Sequence, residues 1–358
     1  MRLTLERRTQ AGIWASLASP TLAVVLTLVF GALLFSLIGI PPLAALTVYF
    51  LSPLADLWAL EELTVKAAPL ILIALGLAPC YLSNNWNIGA EGQLVMGAVA
   101  GSAVAIATHG QGHGSYIVWL MLAAGVLGGA AYGLIPAVLK ARFGVSEILT
   151  SLMLVYVADL LLDYLVRGPW RDPKGFNFPT SVSFGFEARL PGLSETGRLH
   201  PGFFLMLLAV ALLAFMLART LKGFEIRLVG EAPRAARFGG FDDKRLTLFV
   251  FALSGALAGL AGIIEVAGPI GNLQPTISPG YGFTAIIVAF LGRLNPFGIL
   301  IAGFFLALTF IGGENAQIAL RLPLDVTRVF QGLLLFFVLA CDTLILYRLR
   351  VTREGAPA

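Results

Sequence analysis

Ten predominantly apolar stretches, set apart by short polar breaks, run along nearly the whole 358-residue chain. They fall at about residues 20–40, 63–82, 94–108, 116–139, 147–166, 202–218, 246–267, 282–292, 297–312 and 326–347. A run of about 20 apolar residues matches a helix crossing a hydrocarbon core of roughly 30 Å. The alternating segments of about ten residues that mark an outer-membrane barrel are missing. Composition agrees, with 58% hydrophobic and only 12% charged residues, against about 25% charged in soluble domains. The expected fold is therefore all-α: a polytopic helical membrane protein of about ten spans, some broken or re-entrant, forming a single transmembrane domain over residues 1–358. The basic N-terminus "MRLTLERRTQ" is followed by no small-residue cleavage site, so the first apolar run reads as a retained span. Cys80 and Cys341 both lie in apolar segments and read as small packing residues, with no disulfide framework or metal site.

Charge sets the expected orientation. With both termini cytoplasmic, the inside segments hold sixteen of the 24 Lys and Arg, seven of them between Arg219 and Arg245. That bias favours an N-in, C-in arrangement. Only two extramembrane segments are long. An outer loop of about 167–201 is rich in Gly, Pro and aromatics and would rest on the outer membrane surface or contact a partner there. An inner loop covers about 219–245. Neither accommodates a soluble catalytic domain. The net charge of +4 is accounted for by membrane orientation and gives no sign of nucleic-acid binding. Glycines at helix-packing spacing, 97 and 101, 125 and 129, 255 and 259, predict close backbone approach in a tight bundle.

Two breaks carry the buried polarity. The first, "SNNWNIGAEGQ" (83–93), contains no lysine or arginine although it falls on the cytoplasmic side. An uncompensated carboxylate at the centre of a spanning helix costs at least about 2.5–3.5 kcal/mol on an insertion scale, so Glu91 needs a partner, a proton or water. Two roles stand open for Asn84, Asn85, Asn87, Glu91 and Gln93. They cap a tight turn, with Asn87 as N-cap and Glu91 in the first helical turn, or they line a translocation pathway; the two are compatible. The second break, "GPIGNLQPTISPGYG" (268–282), has three prolines and forbids regular helix. The apolar segment after it is too short to span, the Gly/Pro-interrupted pattern that points to transporter sites or gates. Glu265 precedes this break, with Asn272 and Gln274 inside it.

Other polar residues carry less. Asp159, Asp163 and Arg167 recur at i,i+4 and read as a charge pair near an interface. His109, His113 and His200 fall in outer loops, and "HGQGH" has no acidic or cysteine companion, so no metal is expected. Phosphate-cradling GxxxxGK[ST], HExxH and GxSxG motifs are all missing. No paired nucleophile and base is visible either, so the chain is read as a non-enzyme. ATP-driven transport would then need its ATPase on another chain. A proton-coupled secondary transporter using Glu91, Glu265 or Asp159 is the alternative.

The inner stretch "VGEAPRAARFGG" (229–240) reads as a short helix with Pro233 in its first turn and Gly239–Gly240 as its stop. With "NIGAEGQ" (87–93), "SEILTSLMLVYVADLLLDYLVRGPWRDP" (146–173) and "GYGFTAIIVAFLGRLNPFG" (280–298), it resembles the inner-membrane permease subunits of bacterial ABC importers for nucleosides and simple sugars, relatives of the ribose and branched-chain amino-acid permeases. The resemblance runs from about 61 to 342. It implies passage of a small polar solute, a nucleoside first and a sugar next, across the cytoplasmic membrane. It also implies a coupling helix at 229–240, with Gly230, Glu231, Pro233, Arg234, Ala235, Ala236 and Gly239 meeting a cytoplasmic ABC ATPase. A second permease subunit forming a heterodimer, an extracytoplasmic substrate-binding protein and membrane lipid complete the implied partners. ATP would be bound by the ATPase, and the permease itself would hold no cofactor. The chain departs from the family pattern at Glu231-Ala232-Pro233, where an Asn more often precedes the proline, and at "SNNWNIG", which replaces an apolar-aromatic approach.

Overall fold

The computed structural model describes residues 2–7, 13–111, 114–193, 197–321 and 323–352; His113 lies outside them. The helices in chain order are α1 (Ile13–Leu37), α2 (Pro42–Phe50), α3 (Leu57–Leu82), α4 (Ala90–Ala107), α5 (Tyr116–Phe143) and α6 (Glu147–Arg167). After the outer loop come α7 (Gly202–Arg219), α8 (Leu221–Glu231), α9 (Pro233–Phe238), α10 (Asp243–Glu265), α11 (Tyr281–Leu291), α12 (Pro296–Leu320) and α13 (Leu324–Leu346). Each of the ten expected apolar stretches coincides with a helix. Among the described residues, seven helices are long and apolar enough to cross a membrane, and the protein is a helical, polytopic membrane protein. Outside the helices, β1 (Arg2–Arg7) pairs antiparallel with β2 (Tyr347–Thr352).

Two compact units are present, Met1–Leu54 with Leu308–Ala358, and Ala55–Ala307. In the first, Phe35, Ala45, Tyr49, Ala316 and Phe330 form the buried core, with the Tyr49 ring centroid 5.2 Å from that of Phe330. α2 begins on proline, whose missing N–H costs nothing in a first turn; the sequence "GIPPL" therefore starts a helix as well as ending one.

The second unit is built on glycine. α4, α5 and α10 meet through Gly97, Gly129, Gly255 and Gly259, and a Cβ added at any of them would run into the backbone of the opposing helix. The same holds for Gly76 of α3 against Ser254 of α10. In lipid no hydrophobic drive holds helices together, so this close approach supplies dispersion contacts instead. α3 is buried along almost its whole length. α6 and α7 are peripheral, turning Leu149, Tyr156, Leu160, Leu212 and Phe215 outward.

α10 does not end cleanly. It passes into a π-helical turn, Val266–Ile270, that contains Pro269 and closes on Gly271 at φ +77°. Residues beyond are irregular until Gly280, at φ +99°, launches α11. The outer loop is laid directly on this break. The amides of Ser181, Phe184 and Leu190 donate to the carbonyls of Leu273, Gly271 and Ala267 at 2.8, 2.9 and 2.9 Å, which satisfies backbone groups that the broken helix leaves open. Arg198 secures the far end of the loop, its guanidinium forked onto Glu62 of α3 at 2.8 and 2.6 Å. Asp163 and Arg167 form the expected exposed i,i+4 pair at 2.7 Å.

Candidate translocation and coupling site

The first break is a knot of side chains. Its missing cation is supplied from elsewhere: Lys140 Nζ, near the end of α5, donates to Asn85 Oδ1 at 2.9 Å and pairs with Glu147 of α6 at 2.5 Å. Thr247 of α10 donates to the same Asn85 oxygen at 3.0 Å, while the Asn85 amide donates to Ser83 Oγ and O at 3.0 and 3.2 Å. Deeper in, Asn87 Nδ2 donates to Gln93 Oε1 and to Ser254 Oγ of α10, both at 3.0 Å. Its Oδ1 accepts from Gln93 Nε2 at 3.2 Å and from the Gly89 amide at 3.0 Å. Asn85, Asn87 and Gln93 are thus buried and satisfied, tying α3, α4, α5 and α10 together. Asn84 stands outside the knot, exposed, in the left-handed region at φ +57°, and accepts from the Trp86 indole at 3.2 Å.

Glu91 lies in the first turn of α4 as expected, but Gly89 rather than Asn87 is the N-cap, and the Glu91 carboxyl turns away to another helix. Its Oε2 accepts from the Gly282 amide at 2.5 Å, in the first turn of α11. The carboxyl of one break therefore caps the helix that leaves the other. Ser278 completes that cap by accepting from the Tyr281 and Gly280 amides at 2.9 and 3.1 Å. At the other end of α11, the Phe290 ring stacks on Tyr81 at 5.1 Å and on Trp86 at 6.2 Å.

Glu265 is buried at the end of α10. The Tyr281 hydroxyl lies 3.5 Å from its Oε1, and Lys66 Nζ of α3 stands 5.9 Å from the centre of the Tyr281 ring. Asn272 and Gln274 are half-buried in the irregular segment, within the stretch held by the outer loop. Five of the eight expected pathway residues fall into three groups, the amide knot of Asn85, Asn87 and Gln93, the Glu91 cap on α11, and the Glu265–Tyr281–Lys66 cluster, while Asn84, Asn272 and Gln274 stand outside them. Among the described residues no group of three or more His, Cys, Asp and Glu has metal-binding geometry. His200 is in the outer loop but buried, its Nδ1 accepting from the Gly202 amide at 3.1 Å. Burial holds its pKa down at about 4.

The inner loop contains two helices. α8 starts at Thr220, whose hydroxyl accepts from the Gly223 amide at 3.3 Å, and Gly230 presses on the Leu82 carbonyl so closely that a Cβ would not fit. α9 begins at Pro233 and ends with Gly239 and then Gly240, at φ +81°. Ala236 is its one buried residue, while Glu231, Pro233, Arg234, Ala235 and Gly239 are exposed. Phe238 is 94% exposed and was not among the residues singled out by sequence. Its signal was there: a large aromatic next to a double glycine, at the end of a short helix whose other residues are proline, arginine and alanine.

A glycine-packed helical bundle, a half-length helix capped across two breaks and a short exposed helix at 233–238 together define a polytopic helical membrane protein. The family described as branched-chain amino acid transport system / permease component matches residues 59–339, and the chain belongs to it. The chain is 36% identical over 372 residues to the glucose ABC transporter permease protein TsgB13 of Haloferax volcanii, covering 100% of this chain and 97% of that one. It is 28% identical to the guanosine ABC transporter permease protein NupP of Bacillus subtilis, covering 94% and 97%. With NupQ, named in the same way from the same organism, it shares 30% identity over 67% and 77% of the two chains. The protein is accordingly the permease subunit of an ATP-driven ABC importer, a multi-pass protein of the cytoplasmic membrane. Proton-coupled secondary transport gives way to this assignment.

Proposed function

We propose that the chain passes a nucleoside inward, N-terminus and C-terminus cytoplasmic, as one half of a permease heterodimer fed by an extracytoplasmic binding protein. The observation that carries the mechanical part is α9, a short helix fixed to the body by buried Ala236 while Arg234, Ala235 and Phe238 face outward. This helix docks into a cytoplasmic ABC ATPase, which binds the ATP; the permease needs no cofactor of its own. Gly230 transmits the motion by its contact with the end of α3, and α3 carries the first break. Glu231, Pro233 and Gly239 fix the exit and entry of the docking helix. Opening and closing then redistribute access among the amide knot, Glu91 on α11 and the Glu265 cluster, with Asn84, Asn272 and Gln274 at its margins. All 358 residues act as one transmembrane domain in this scheme.

NupP and NupQ, both named for guanosine in one organism, support the nucleoside and the heterodimer. A sugar is the second reading, favoured by the higher identity to TsgB13. Uptake of labelled guanosine and of labelled glucose by cells carrying the complete transporter separates them. For docking, Ala235→Trp and Phe238→Ala should each lower ATPase recovery in pull-downs and uptake together, with normal membrane insertion. Overpacking a small interface residue costs roughly 1–3 kcal/mol, and losing an interface aromatic can cost as much. Wild-type ATPase recovery in both variants would remove the docking assignment.

A further inference from the structure

Away from the breaks, the ends of α3 and α7 meet α8 and the α11–α12 turn around a cavity of about 290 Å³. Arg227, Arg293 and Asn295 line it together with Leu217, Ala218 and Phe297, and no carboxylate does. Both charged side chains in the lining are cationic. Arg227 of α8 is held in place by donating to the Leu217 carbonyl in the last turn of α7. Arg293 sits in a turn where it and Leu294 both adopt φ +55°, a conformation that L residues rarely take, fixed by their amides donating to Phe290 and Ala289 at 2.9 and 2.8 Å. Asn295 spends its Oδ1 capping α12, accepting from the Phe297 and Gly298 amides at 3.0 and 3.4 Å, which leaves its NH₂ to donate. Two guanidiniums and an amide NH₂, one from α8 and two from the α11–α12 turn, give the cavity an anion-binding lining.

The surroundings identify the anion. The volume is at the floor of the roughly 300–1,000 Å³ that holds a whole small ligand, enough for a phosphate-bearing head. The adjoining surface is apolar and open: Phe297 is 62% exposed, Ile301 one turn further along α12 is 73% exposed, and Phe215 on α7 is 63% exposed. A free phosphate gains nothing from that surface, whereas acyl chains do. Basic recesses between transmembrane helices on the cytoplasmic side are suited to anionic lipid heads.

We propose that this cavity binds the phosphate head of an anionic phospholipid, with its chains lying along Phe297, Ile301 and Phe215. The lipid would bridge α7 to α8 just ahead of α9, without taking part in solute passage. The test uses the full chain co-purified with its partner subunits, with phosphatidylglycerol, phosphatidylcholine and glycerol phosphate as probes in native mass spectrometry. Arg227→Gln and Arg293→Gln should each weaken phosphatidylglycerol retention about fivefold, and phosphatidylcholine retention not at all. Ala218→Trp, which fills the cavity without changing charge, should displace the same lipid. Unchanged phosphatidylglycerol retention in both arginine variants would overturn the proposal, as would full retention in Ala218→Trp. Equal binding of glycerol phosphate would also overturn it, by pointing to a free-anion site. Arginine variants that lose the ATPase subunit while keeping the lipid would reassign the cavity to a protein interface.

Discussion

Removing Glu91 should unfasten α11. The carboxyl stands 2.5 Å from the Gly282 amide in a buried setting. Glu91→Ala leaves the Gly282 N–H without its acceptor where water does not reach, a loss of about 1–3 kcal/mol. The favourable placement of an acidic group at a helix N-terminus goes too, worth up to about 2 kcal/mol when partly buried. A local loss of about 3 kcal/mol corresponds to roughly a hundredfold rise in opening at 25 °C. Glu91→Gln keeps the acceptor oxygen and the shape, so its cost should stay near 1 kcal/mol. Hydrogen exchange on the assembled transporter reads this directly at the first-turn amides of α11. Fast exchange and low uptake are expected for the alanine variant, with near-normal values for glutamine. Wild-type protection of α11 in Glu91→Ala would refute the cross-break cap.

Three further outcomes follow from the packing, the outer loop and the proposed orientation. Gly259→Ala should cost about 1–3 kcal/mol by thermal shift, because the new Cβ meets the backbone of Gly125 and Gly129, whereas Gly332→Ala, with no atom within 4 Å of the Cβ, should be nearly neutral. His200 has a folded pKa of about 4, below its ordinary 6.5, so between those values only the unfolded chain takes up the proton. Its contribution is intact above pH 6.5, falls as the pH drops, reaches a loss of about 2 kcal/mol at pH 5 and levels off below pH 4; His200→Gln should flatten that part of the stability profile, and an unchanged profile would count against burial of the neutral ring. Single cysteines at Gly110, Phe186 and Asn315 should react with an impermeant thiol reagent from outside, and one at Arg234 should not; inside-only reaction at Phe186 would reverse the orientation.

What the sequence made readable was whatever is encoded locally. The eleven-residue α11 was legible because Gly and Pro bracket it, and α9 because Pro233 and Gly239–Gly240 mark both its ends. α2 lies outside the ten apolar runs because Pro41 and Pro42 interrupt the apolar pattern there, although Pro42 also opens a first turn. α8 was missed because a polar segment with glycines at 223 and 230 reads as loop until packing on α3 and α7 supports it. The polar residues at 83–93 were singled out correctly as a set, but their bonds are not local. Lys140, Thr247, Ser254 and Gly282 are brought to them only by the bundle, so a local N-cap at Asn87 was the nearest answer available from spacing. The hydrogen bonds between the backbone of the outer loop and the second break leave no trace in residue types, so they could not be read from the sequence.

The knot also dictates an order of assembly in time. Asn85 waits for Thr247, which lies 162 residues later, and Asn87 waits 167 residues for Ser254. Glu91 waits 191 residues for the Gly282 amide. At a synthesis rate of about 5–20 residues per second, that last interval is roughly 10–40 s. For up to that time the nascent chain carries two amides and a carboxyl whose distant partners are unmade. Chains interrupted before α10 would expose this set to lipid, water or the insertion machinery, which makes the polar core of the finished permease a marker of completeness for the half-made one.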